Sequence, residues 1–124
     1  MMLSLERRAR KPSLLAFLGG LLAATAVGLS AYAAHGVGEG NGQAQLNTAA
    51  LYAFEHGAAL AALAPRVDRS LGRLSLYLLL LGTLLFSGSL VGGVLWQWST
   101  RFAPVGGSML MAGWLLFALN SLRR

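Results

Sequence analysis

Four residues in one stretch of an otherwise apolar chain have the side chains for acid–base or hydrogen-bond chemistry: Thr48, Tyr52, Glu55 and His56. Their spacings of four, seven and eight put them on one face of a helix. Ionisable groups inside a membrane span usually face a bundle interior or a cavity, and they are functional candidates for that reason. Thr25, Thr83, Ser87 and Trp114 fall at similar depth in the other apolar segments. We expect Tyr52, Glu55, His56, Ser87 and Ser89 to contribute to one buried polar network. Such a network would relay protons or bind a small polar ligand. If its members only satisfy one another, it would instead fix helix register.

Other chemistries find little support. The chain has no cysteine, so disulfides, thiolate metal sites and cysteine nucleophiles are excluded. His35 and His56 are its two histidines, and His56 lies about nine residues below the outer start of its helix, roughly 13 Å at the rise of an α-helix. With so few acids to join them, no metal site and no cofactor are expected. His35 and Gly36 form a candidate interfacial site, or simply the cap of a helix. No phosphate-binding glycine loop or Ser-His-Asp set is present, and no catalytic residues are assigned. Gly106 and Gly107 follow Pro104 at a helix start, where exposed N–H groups can hold an anion, although close packing is the simpler role.

These residues must be positioned by a membrane protein. Of the 124 residues, 56% are hydrophobic and only 11% charged, against about 25% charged in a soluble domain. Ser13 to Ala34 carries no charge, and a spanning helix needs roughly 20 such residues. Leu74 to Trp96 and Pro104 to Leu122 are likewise uncharged, and Trp96 and Trp98 fit an interfacial aromatic belt. The segment from Gln43 or Asn47 to Ala64 is weaker. It is alanine-rich, and a charged residue at its centre opposes insertion by roughly 2.5–3.5 kcal/mol, where each leucine returns only about 0.3–0.6. We expect it to insert as a hairpin with a neighbour. Gly36, Gly38, Gly40 and Gly42 predict a turn before it. Pro12, Pro65 and Pro104 all mark span boundaries.

The net charge is +6. The ten Lys and Arg residues sit between and beyond the apolar blocks rather than on one face, which argues against nucleic-acid binding. With the N-terminus inside, the inner segments hold Arg7, Arg8, Arg10, Lys11, Arg66, Arg69, Arg73, Arg123 and Arg124, and the outer loops hold only Arg101. That asymmetry predicts both termini in the cytoplasm. Arg7 to Lys11 with Ala31-Tyr32-Ala33 also imitates a cleaved signal peptide, but the apolar stretch is longer than the usual 7–15 residues. The expected architecture is therefore an all-α integral membrane bundle of four transmembrane helices. A basic cytoplasmic segment, 1–12, precedes a transmembrane domain, 13–122, with spans at about 13–34, 45–64, 74–96 and 104–122. A basic cytoplasmic end, 123–124, follows.

Small residues let helices approach closely in lipid. Ala16, Gly20, Ala24 and Gly28 repeat at steps of four, as do Ala49, Ala53, Gly57 and Ala61, and Gly88 and Gly92 form a G-x-x-x-G pair. These, with Gly106, Gly107, Gly113 and Trp114, are the expected packing positions. They would knit the bundle or form the seam of a homo-oligomer.

Ala34-His35-Gly36, Tyr52-Ala53-Phe54-Glu55-His56-Gly57, Phe86-Ser87-Gly88-Ser89-Leu90, Pro104-Val105-Gly106-Gly107 and Gly113-Trp114 together resemble the YgdD-like family of small inner-membrane proteins with a domain of unknown function. The resemblance covers roughly Gly19 to Leu119. It implies a four-helix fold and a bacterial inner-membrane address, but no established activity. It marks His35, Gly36, Tyr52, His56, Ser87, Gly88, Ser89, Pro104, Gly106, Gly107, Gly113 and Trp114. Glu55 departs from the pattern, since the residue before this histidine is more often aromatic. Two functions are expected from different classes. The first is a non-enzymatic structural or accessory component whose partners are the bilayer and a second copy or a membrane complex. The second is a small transporter or channel-like protein with a polar site around His56 and Ser87.

Overall fold

The structure, a computed structural model, describes residues 12–123. The basic segment before Pro12 and the last residue, Arg124, lie outside the described residues, and with them most of the expected N-terminal cytoplasmic segment.

Helix α1, Leu14–His35, starts where the Ser13 hydroxyl accepts the Ala16 N–H over 3.1 Å, which satisfies one of the free donors of the first turn. It ends at Gly36, whose N–H donates to the Tyr32 carbonyl. The turn is shorter than the run of alternating glycines, because Gly42 already lies in helix α2, Asn41–Leu63. Gly40, at φ 137°, is the one position in this turn whose backbone requires glycine. The Gln43 side chain donates to the Ala33 carbonyl over 2.9 Å and closes the first hairpin. Pro65 sits in a short 3₁₀ turn, Ala64–Arg66. Helices α3, Ser70–Leu95, and α4, Phe102–Ser121, form the second hairpin. At the end of α3, the Gly92 carbonyl accepts from both Trp96 and Trp98, and Gln97 takes φ 58°.

Helices α1, α3 and α4 are long and apolar enough to cross a membrane, whereas α2 is not. Yet α2 occupies the middle of the bundle. It packs on α1 on one side and α3 on the other, while α1 and α4 share no packing seam. The core is a cluster of Leu15, Leu60, Leu76, Leu79, Leu80 and Leu110.

The two hairpins close through glycine, but partly not at the expected positions. A Cβ on Gly19 would stand 2.6 Å from the Gly57 carbonyl oxygen, and one on Gly57 would stand 2.6 Å from that of Gly19. Backbone therefore meets backbone at this crossing. Gly20 and Gly28 instead face outward with nothing within 4 Å. The α1 seam runs one residue earlier, through Gly19, with Ala26 and Ala33 also buried. The α2 stripe of Ala49, Ala53 and Gly57 is buried as expected, but Ala61 is exposed. In the second hairpin, Gly106 crosses Gly82, and Gly113 lies against Ser75 and Leu79. Gly107 makes only ordinary contact with Phe86. The Gly88–Gly92 pair divides: Gly92 packs under the Trp98 ring, while Gly88 is open. A single glycine step rotates a helix by about 100°, so a register error of one residue moves a stripe off the seam.

Candidate functional site

His56 is buried on the face of α2 turned toward α3 and α4. Its Nδ1 lies 2.8 Å from the Tyr52 carbonyl oxygen, one turn back on the same helix. A carbonyl only accepts, so Nδ1 carries the proton. The Trp114 indole Nε1–H, from α4, points at His56 Nε2 over 3.0 Å. Indole only donates, so Nε2 must offer its lone pair. The two partners together assign one neutral tautomer and leave neither ring nitrogen free for a metal or a substrate.

Aromatic rings surround this pair. The Tyr52 ring stacks near His56 with centroids 5.9 Å apart and lies 4.6 Å from Phe86 of α3. Trp114 is 5.8 Å from His56 and edge-on to Phe117. Outside the cluster, α2 and α4 are separated by a groove of about 960 Å³, walled by Tyr52, His56, Phe86, Gly107, Met111 and Trp114 among others. Ser108 also lines it, but its hydroxyl bonds the Pro104 carbonyl of its own helix over 2.9 Å.

The expected single network does not form. Ser87 is buried, and its hydroxyl donates to the Ala49 carbonyl over 2.8 Å, tying α3 to α2 one turn away from the histidine's own bonds. Glu55 is exposed on α2, and among the described residues it makes no hydrogen bond or ion pair with His56 or Ser87. Adjacent residues on a helix point about 100° apart, so His56 turns inward and Glu55 turns out. Ser89 is buried beside Leu85 and Trp98, away from His56. Thr25, Thr48 and Thr83 each bond a carbonyl four residues back in their own helix, the local solution available to a hydroxyl in an apolar setting. His35 is exposed at the end of α1 and Gly36 is its C-cap, so the structure places these two at a helix terminus. Among the described residues, no group of three His, Cys, Asp or Glu side chains could hold a metal ion.

The sequence puts Trp114 at the depth of the polar residues and among the packing positions, but does not assign it as the histidine's donor. An indole N–H in an apolar segment needs an acceptor, and that signal pointed to His56. The floor supplied by Phe86 and the acceptor supplied by the Ala49 backbone carried no such signal.

Comparison with known proteins places the chain. Residues 29–107 match the family described as a protein of unknown function, DUF423. A "UPF0382 membrane protein" of Haemophilus influenzae (strain ATCC 51907 / DSM 11121 / KW20 / Rd) is 32% identical over 109 residues, covering 78% of this chain and 84% of that relative. No solved structure matches the chain.

Proposed function

The chain belongs to the DUF423 family, and we propose that it is a non-enzymatic structural or accessory component of a bacterial inner membrane, of the YgdD-like type. One observation carries this reading: both nitrogens of the buried histidine are committed to protein partners, Tyr52 and Trp114. A general base or a transport ligand needs a lone pair or proton that substrate can reach. Here Ser87 joins α3 to α2 and His56 joins α2 to α4 instead. A transport reading draws on the groove between α2 and α4, yet Ser87 spends its hydroxyl on Ala49 rather than on that groove.

The topology we propose has four spans, with α2 as the fourth. Flanked by α1 and α3, α2 needs less hydrophobicity than a helix inserting alone, because seven of its residues, His56 included, are covered by protein. Both termini lie inside, as the basic residues require. Glu55 then sits mid-membrane on an outward face, an expensive position unless another chain covers it. A homo-oligomer or membrane-complex partner against α2 supplies that cover.

Two measurements test this. The cysteine-free chain allows single-cysteine labelling: Gly38→Cys is expected to react from outside and Val67→Cys only from inside. The opposite pattern defeats the topology. Mass measurement after mild detergent extraction is expected to find the chain in a stable oligomer or hetero-complex. A lone monomer overturns the accessory role.

A further inference from the structure

At the end of the bundle that carries the basic loop, a hollow of about 380 Å³ opens between the 3₁₀ turn and the C-terminal end of α4. Arg66, Arg69 and Arg123 line its rim, and Leu63 and Phe117 line its apolar side. All three arginines are exposed, and among the described residues no side-chain hydrogen bond or ion pair engages any of them. Asp68 shares the hollow but already has an interaction of its own. Asn120 also lines it, and its Oδ1 is buried without a hydrogen-bond partner. Its Nδ2 is seated beside Gly72, where a Cβ would stand 2.9 Å away. One small hollow thus combines three guanidinium groups and an apolar wall.

We infer that this hollow binds the headgroup of an anionic phospholipid, with the phosphodiester held by Arg66, Arg69 and Arg123 and the first methylenes of the chains lying against Leu63 and Phe117. Guanidinium matches a phosphate's paired oxygens with parallel N–H donors. Basic pockets between helices at a membrane surface recognise anionic headgroups in this way. The apolar wall separates a lipid from free phosphate, since an inorganic anion has nothing to place there. The hollow sits where α3 begins and α4 ends, two helices apolar enough to span, so it lies at headgroup level. The inference goes beyond the accessory role and needs neither the orientation of the termini nor a partner protein.

The test uses the full chain in dodecyl maltoside micelles, titrated with phosphatidylglycerol or with zwitterionic phosphatidylcholine, and read by native mass spectrometry. Phosphatidylglycerol is expected to bind saturably at one per chain and at least about tenfold more tightly than phosphatidylcholine. R66Q, R69Q and R123Q should each weaken it about fivefold, and R101Q, in the opposite loop, should leave it unchanged. The conservative R66K, R69K and R123K variants keep the charge but lose the paired donors, so they too should bind less tightly. Lysine variants that bind as well as the parent, or an equal loss in R101Q, would reveal a diffuse basic field and overturn the inference. Displacement of the lipid by millimolar inorganic phosphate would make this a soluble-anion site and overturn it as well. Circular dichroism of every variant separates lost binding from lost fold.

Discussion

Glu55 and His56 are neighbours in the chain and opposites in the structure. His56 is buried, with one ring nitrogen bonded to its own helix and the other to α4. Glu55, one residue earlier, is exposed, and among the described residues no side-chain hydrogen bond or ion pair engages its carboxylate. The same contrast separates the neighbours Gly19 and Gly20 on α1: one crosses the backbone of Gly57 at contact distance, the other faces open space. Helix α2 therefore has an inner face that holds the bundle together and an outer face that the bundle does not use. A polar side chain in an apolar segment says that a partner is needed. It does not say whether the partner is in the same chain.

The largest effects should fall on the inner face. Gly57→Leu must push α1 away from α2, and overpacking of this kind costs about 3 kcal/mol. Gly20→Leu should leave unfolding in detergent unchanged, because nothing lies within 4 Å of its Cβ position. Equal effects of the two substitutions would erase the distinction between the faces. His56→Ala comes next. It strands the Trp114 N–H and removes a buried ring, for a loss of about 2 kcal/mol in a denaturant titration. Ser87→Ala should cost about 0.6 kcal/mol, the usual worth of an interhelical hydrogen bond in a membrane protein. Glu55→Gln should change monomer stability by less than about 0.5 kcal/mol, while shifting the mass of the extracted particle. A large stability loss in that variant would return Glu55 to the inner face.

Three of the four helices were legible in the chain as uncharged runs, and their observed limits differ from the expected spans by a few residues at most. The second was legible only from its neighbours, the loop charges and the family pattern, since its own composition is too polar. The seams were harder. Alanine and glycine are so frequent in α1 that stripes through Gly19 and through Gly20 look alike, and only the crossing with Gly57 selects the first. The site failed in the same way. Spacings of seven and eight place Thr48, Glu55 and His56 loosely together, but the 100° between adjacent positions decides which one turns inward, and that depends on where α3 and α4 lie. Trp114, by contrast, combined an obligate donor with the right depth, and its bond to His56 is the part of the site that residue chemistry could have specified.

The central claim is that His56 and Trp114 join α2 to α4 as a structural link. A double-mutant cycle of His56→Ala and Trp114→Phe, measured by unfolding of the detergent-solubilised protein, tests it most directly. The account predicts a coupling free energy of about 0.6–1.7 kcal/mol, the range of interhelical hydrogen bonds in membranes. Strictly additive losses, with both single variants fully folded, would contradict it and free His56 for a role other than holding the helices together.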